Sequence, residues 1–90
     1  MHISYDQAKR DKTLAERGLD FADMSKVFEG KHFTLEDDRL DYGETRFITI
    51  GYLDSRMVVC VWTPREDGIR VISMRKANER EQAKYEQHLG

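Results

Sequence analysis

Residues 46–75 read RFITIGYLDSRMVVCVWTPREDGIRVISMR, in which three apolar stretches are separated by two short polar intervals. The apolar stretches are rich in β-branched and aromatic residues, which favour strands, and the intervals hold residues typical of turns. The pattern therefore predicts strands over residues 46–52, 56–63 and 69–75. Because parallel neighbours need a crossover of about a dozen residues or more, these strands are predicted to form an antiparallel meander.

The segment before the meander predicts two helices. Asp6 is suited to cap a helix over Lys9–Arg17, and Asp20 is suited to cap a second helix over residues 21–28. A glycine follows each predicted helix, as is common where helices end. The second helix has the clearer apolar face, because its apolar residues recur at helical spacing.

Weaker patterns complete the predicted fold. Residues 77–88 predict a C-terminal helix, while Ile3–Tyr5 and Thr34–Leu35 each suggest a short strand, the first of them at a sheet edge. With 90 residues, 39% of them hydrophobic, the chain is predicted to form one domain over residues 1–90. The expected class is α+β, with two N-terminal helices, an antiparallel meander and a C-terminal helix.

Charge is distributed unevenly along the chain. The net charge of -2 does not by itself suggest a nucleic-acid binder, yet residues 46–76 carry six basic side chains against three acidic ones. Five of the six are arginines, whose planar fork of donors suits phosphate and stays charged at physiological pH. The segment is consistent with an anion site, or with arginines that cover the sheet rim and pair with acidic neighbours.

Strand alternation predicts where these arginines point. Arg46 is predicted to share a face with Ile48 and Ile50 of its own strand. Strict alternation places Arg70 on the face of Ile72 and Met74, and it places Arg75 on the opposite face of the same strand.

Cys60 is the only cysteine, which excludes an internal disulfide and a cysteine-based zinc site. It lies in an apolar run, where a small buried side chain is expected. No apolar stretch approaches the ~20 residues that span a bilayer, and the N-terminus does not resemble a signal peptide. The protein is therefore expected to be cytoplasmic, with no membrane partner.

A set of motifs occurs in one order along the chain. They are Gly43–Gly51, Val59–Thr63, Ile69–Ser73, Arg75–Ala77, Glu81 and Tyr85–Glu86, preceded by Asp6, Ala8, Lys9, Leu14, Gly18, Phe21 and the pair Val27–Phe28. In these motifs the sequence resembles the BrnT family of bacterial toxins, from about residue 3 to residue 86.

The resemblance implies a compact α+β ribonuclease similar to the RelE-type toxins. It implies a BrnA-like antitoxin as partner, which carries a DNA-binding segment, so that operator DNA is contacted only through the toxin–antitoxin complex. The implied activity is RNA cleavage that arrests translation, and no metal or organic cofactor is expected.

The resemblance also assigns roles to eight residues. Those expected to act in catalysis are Arg46, Arg70, Arg75, Lys76, Glu81 and Tyr85, and those expected to bind RNA are Lys9 and Arg56. The three arginines would hold a phosphate while the neighbouring ribose 2′-hydroxyl attacks it. Lys76 and Lys9 would add positive potential or neutralise the leaving oxygen, and the general base stays open between Glu81 and Tyr85.

Departures from the family pattern support an alternative. The first helix begins Tyr5-Asp6-Gln7 where Trp-Asp-Pro is usual, and Glu16-Arg17 stands where a Lys-His pair is usual. If that histidine moves a proton, Arg17 cannot replace it as a base. The alternative is a catalytically inactive homologue that acts as antitoxin partner and operon corepressor, and a third reading is a scaffold domain.

Overall fold

A five-stranded sheet and three helices make up the computed structural model, which describes residues 1–89. The elements are β1 (His2–Tyr5), α1 (Gln7–Arg17), a 3₁₀ turn (Phe21–Asp23), α2 (Met24–Glu29), β2 (His32–Asp37), β3 (Arg46–Leu53), β4 (Arg56–Arg65), β5 (Gly68–Lys76) and α3 (Glu79–Leu89). The α+β class is confirmed, while the RelE-like arrangement stays a prediction.

The helices begin and end where side chains or glycine satisfy their free backbone groups. The Lys9 N–H donates to the Asp6 carboxylate at 3.0 Å, and Gly18 ends α1 in a left-handed conformation with φ of 69°. Asp20 accepts from the Ala22 N–H at 2.9 Å, but the turn it caps is 3₁₀ and leads into the short α2. Within residues 1–89, no helix is long and apolar enough to cross a membrane.

The starts of α1 and α3 also differ from the prediction. Helix α1 begins at Gln7 rather than Lys9, because Asp6 caps the turn directly after it. Helix α3 begins at Glu79, two residues later than predicted, because Asn78 occupies its N-cap position.

The three central strands form the predicted antiparallel meander, as β3, β4 and β5, but the sheet as a whole is not a simple antiparallel meander. Strands β2 to β5 follow one another in antiparallel pairs, but β1 lies beside β5 and runs parallel to it, so the order is β1-β5-β4-β3-β2. The cause is the open edge of β5, whose unpaired N–H and C=O groups accept the N-terminal strand. Thr34–Leu35 also proves to be the middle of the six-residue β2.

Each face of the sheet carries its own apolar cluster. The face covered by the N-terminal helices includes Leu19, Phe21, Met24, Val27, Val58, Cys60, Val71 and Met74. The other face, called the α3 face from here on, includes Ile50, Met57, Val59, Ala77 and Leu89, with Tyr85 packed against them. Cys60 is fully buried, which confirms its predicted place in the core.

A β-bulge interrupts the alternation of β5. Val61 lies opposite Ser73 and the next residue, Trp62, lies opposite Val71, so that Ile72 is an extra residue in β5. Because residues directly opposite each other in a ladder share a face, the bulge reverses the facing of every position beyond it.

Candidate anion-binding site

The bulge places Arg70 on the α3 face, where the other two arginines expected to bind phosphate also lie. Arg70 lies opposite Thr63 and Arg75 lies opposite Val59, and both partners point to this face. The alternation-based prediction that Arg70 and Arg75 face opposite sides is therefore wrong. Arg46 joins them, since it precedes Ile48 and Ile50 by two and four positions on β3.

Spacing along the strands separates these arginines into two groups. Arg46 and Arg70 stand at one end of the sheet, whereas Arg75 stands in the same cross-strand row as Ile50 and Val59. Four residues from Arg46 to Ile50 correspond to about 13 Å along the strand direction.

Arg75 lines a pocket of about 290 Å³ between α3 and the open part of the sheet. We call it the arginine pocket; its lining comprises Arg39, Ile48, Val59, Val61, Ser73, Arg75, Glu81 and Tyr85. Three of the six residues expected to act in catalysis, Arg75, Glu81 and Tyr85, therefore line one pocket. Its apolar lining consists of Ile48, Val59 and Val61.

Glu81 fixes the guanidinium of Arg75. Arg75 Nη1 and Nη2 donate to the two carboxylate oxygens at 2.7 and 2.8 Å. Glu81 also accepts from the Asn78 N–H at 3.0 Å, while the Asn78 side chain accepts from the Glu81 N–H at 2.8 Å, which forms a capping box at the start of α3. The hydrogen bonds from Arg75 lower the pKa of Glu81 to about 2, so this carboxylate is a weak proton acceptor near neutral pH.

Tyr85 lies one helical turn after Glu81 and is half-buried. Its ring packs 5.5 Å from that of Phe33, and the Lys84 ammonium lies 5.3 Å from its centroid. The contact with Phe33 fixes the ring against the sheet beside the arginine pocket.

Arg39 also lines the arginine pocket, and the sequence did not single it out. Its Nε and Nη2 donate to the two Asp37 oxygens at 2.7 and 2.8 Å, and the Asp37 side chain is only 1% exposed. The Tyr42 hydroxyl lies 3.3 Å from the same carboxylate. In the sequence, Arg39 directly follows the acidic residues 36–38, a pattern typical of exposed surface charge. Its role becomes visible only once β2 is known to end at Asp37.

Arg46 and Arg70 do not line the arginine pocket. Arg46 Nε lies 3.3 Å from Glu44, and its guanidinium stands 4.1 Å above the ring of Tyr42. Arg46 lines a neighbouring pocket of about 360 Å³. Arg39 lines both this pocket and the arginine pocket. Arg70 is half-buried and forms no ion pair with any other residue in 1–89.

The remaining predicted residues lie in two other places. Arg56 and Lys76 line a pocket of about 420 Å³ next to the first turn of α3. Lys9 lines a groove of about 320 Å³ between α1 and β5, which also includes Arg17. Ser73 lines both this groove and the arginine pocket, so the two meet at the open edge of β5.

Residues 1–89 hold no group of three or more His, Cys, Asp or Glu side chains arranged to bind a metal ion.

Together the fold and the site define a small α+β protein with an arginine-lined pocket on one sheet face. The family described as "Ribonuclease toxin, BrnT, of type II toxin-antitoxin system" matches residues 5–81. The chain therefore belongs to the BrnT family of ribonuclease toxins, whose description implies an RNA substrate and an antitoxin partner. No curated protein matches the chain.

Proposed function

We propose that this protein is an endoribonuclease that cleaves RNA by attack of a ribose 2′-hydroxyl on the adjacent phosphate. The O2′–P bond forms and the P–O5′ bond breaks, leaving a 2′,3′-cyclic phosphate and a 5′-hydroxyl. The 2′-hydroxyl proton goes to a base, and the 5′-oxygen takes up a proton. The observation that carries the proposal is the arginine pocket, which is lined by a fixed guanidinium and by a tyrosine side chain.

Arg75 is the phosphate-binding residue in this proposal. Charge accumulates on the non-bridging oxygens during attack, and a guanidinium already held in place stabilises that charge without reorganising. The pair with Glu81 supplies the fixation, since both carboxylate oxygens bind the guanidinium. Arg46 and Arg70 add positive potential from the same sheet face and hold the RNA on one side of the scissile phosphate, at the end of the sheet where both stand.

Tyr85 is the proton carrier in this proposal, and Glu81 is a positioning residue. Glu81 has a pKa of about 2 because Arg75 and the Asn78 N–H bind its carboxylate, which makes it a poor general base. The Tyr85 hydroxyl group belongs to a side chain that lines the same pocket and packs on Phe33. Lys76 and Arg56, in the next pocket, bind the RNA downstream.

The RNA leaves the arginine pocket across the open edge of β5. Ser73 connects the pocket to the groove beside α1, where Lys9, Lys12 and Arg17 supply three cations against Glu16. Backbone phosphates are attracted to such a path in a salt-dependent manner. Acting on messenger RNA, the protein would arrest translation in the cytoplasm.

A BrnA-like antitoxin is the proposed partner. An acidic segment of the antitoxin would cover the α3 face and exclude RNA, because the arginines there attract negative charge. Operator DNA would be bound through the antitoxin. Rising salt should weaken the complex, and an affinity that is independent of salt would count against this electrostatic model.

One observation favours a second function, that of an inactive antitoxin partner and corepressor. Arg17 stands where the family usually has histidine, and its Nη1 donates to the Met74 carbonyl at 2.9 Å. The side chain is thereby held on the backbone of β5 and offers no base.

Purified protein tests the proposal directly. Wild type should cleave RNA, with or without ribosomes, and yield 2′,3′-cyclic phosphate ends, while Arg75→Gln should lose about 100-fold or more in rate. Arg80→Gln, an exposed arginine on α3, is the matched control. If wild-type protein leaves RNA intact under both conditions and does not slow growth, the ribonuclease proposal is wrong, and tight binding of the antitoxin would then support the second function.

A further inference from the structure

The arginine pocket contains a second fixed guanidinium, that of Arg39. Its side chain is 67% exposed at the pocket rim, yet Asp37, which binds it, is 1% exposed. Asp37 ends β2 opposite Arg46, so its position is set by the sheet rather than by the loop. A rigid strand therefore holds a guanidinium that is itself accessible to a ligand.

The geometry leaves donors of both arginines available. Arg39 binds Asp37 side-on through Nε and Nη2, so this ion pair leaves both N–H bonds of Nη1 unused. Arg75 binds Glu81 end-on through Nη1 and Nη2, so that pair likewise leaves its Nε–H unused. Both arginines can therefore bind an anion without releasing their carboxylates.

The two cations lie close enough to influence each other. The pKa of Arg75 is raised chiefly by its hydrogen bonds to Glu81, and the positive charge of Arg39 acts in the opposite sense. An anion between the two guanidinium groups relieves this repulsion. The pocket, at about 290 Å³, lies at the small end of ligand sites and suits one nucleotide unit rather than a longer segment.

We propose that Arg39 binds the same RNA phosphodiester as Arg75, and that Asp37 is the positioning residue that fixes the Arg39 guanidinium. This inference rests on the proposed function, since it names a further phosphate ligand of the ribonuclease site. It assigns the segment 37–39, at the end of β2, a part in substrate binding.

Binding of an uncleavable RNA tests Arg39 separately from catalysis. A fluorescent oligonucleotide with 2′-O-methyl groups throughout is titrated with wild type, Arg39→Gln, Arg39→Lys and the control Arg80→Gln at several salt concentrations. Arg39→Gln should weaken binding by about tenfold or more. The slope of log K against log salt should also fall by about 0.7, the value for one phosphate contact on a single strand. Arg39→Lys should keep the slope but not the full affinity.

Asp37→Asn separates positioning from charge. Removing a negative charge beside the pocket should leave the affinity for the uncleavable RNA unchanged or higher, while the single-turnover cleavage rate falls about tenfold because Arg39 is no longer held. Thermal unfolding identifies a variant that fails only by losing its fold. A cleavage rate equal to that of wild type would overturn the role of Asp37.

The outcomes also separate the two proposals. Arg39→Gln binding within twofold of Arg80→Gln, with the same salt slope, would overturn the role of Arg39. Wild-type protein that binds the oligonucleotide through Arg39 but cleaves no RNA would overturn only the proposed ribonuclease function. Wild-type protein that binds no RNA would overturn both.

Discussion

Both carboxylate oxygens of Glu81 bind the guanidinium of Arg75, at 2.7 and 2.8 Å, and one of them also accepts the Asn78 N–H. The side chain that caps α3 thus also fixes the proposed phosphate ligand on β5. Any movement of the first turn of α3 would move Arg75 with it, so helix capping and site geometry depend on one residue.

Glu81→Gln and Asn78→Ala should separate these two roles. Glutamine can keep the capping hydrogen bond but loses the ionic contact, so Glu81→Gln should lower the cleavage rate about tenfold without weakening RNA binding. Asn78→Ala should cost about 1 kcal/mol of the free energy of unfolding and leave cleavage nearly unchanged. Single-turnover kinetics and chemical denaturation measure the two effects, and a reversed pattern would show that Glu81 acts only as a cap.

Tyr85→Phe should remove the proposed proton carrier and preserve its packing against Phe33. The cleavage rate should fall about 100-fold or more, as for loss of a general acid or base, while affinity for uncleavable RNA stays within twofold. Tyr5→Phe is the matched control, because Tyr5 packs against Phe21 on the opposite sheet face. Equal rates for the two variants would rule out Tyr85 as proton carrier.

The class of the fold could be predicted from the strand pattern, because residues 46–75 contain the turns and apolar runs of three strands and leave no room for crossovers. The parallel β1 could not be predicted, since nothing in Ile3–Tyr5 specifies a partner more than sixty positions away. Pairing of this kind depends on which sheet edge the helices leave open.

The arrangement of the candidate site was only partly predictable. Strict alternation separates Arg70 from Arg75, and the bulge at Ile72 that reunites them leaves no signature in the sequence. Arg39 was overlooked because its partner, Asp37, reads as one of three consecutive acidic loop residues until β2 is seen to end there and bury it.

Acid should destabilise the protein through the carboxylate–guanidinium pairs of Asp37 with Arg39 and of Glu81 with Arg75. The pKa of Asp37 is lowered from 3.8 and that of Glu81 from 4.5, each to about 2, by hydrogen bonds from Arg39 and Arg75 respectively. Since both values are depressed on folding, the stabilisation is present above the ordinary pKa values and is lost as pH falls toward 2. Chemical denaturation should therefore show that the free energy of unfolding falls as the pH is lowered from roughly 6 to 2. Asp37→Asn and Glu81→Gln should each flatten the curve, and curves parallel to wild type would contradict this.

Cys60 should be unreactive while the protein is folded. It is fully buried, and burial raises the pKa of its thiol to about 12, so little thiolate forms at neutral pH. Iodoacetamide should modify Cys60 only after denaturant is added, whereas a cysteine introduced by Ala83→Cys on exposed α3 should react at once. Rapid modification of native Cys60 would show that the sheet opens frequently.

Gly68→Ala should detach the N-terminal strand from the sheet. Gly68 pairs with His2, and a Cβ at this position would overlap the backbone of His2, including its carbonyl oxygen. Because backbone cannot move aside as a flexible side chain can, the substitution should cost about 1–3 kcal/mol and increase hydrogen exchange at His2, whose N–H donates to the Asp67 carbonyl, and at Ser4, two positions further along the same ladder. Gly30→Ala is the matched control, since an added Cβ there has no neighbour within 4 Å. If β1 stays protected in Gly68→Ala, the close approach of the two backbones does not hold that edge together.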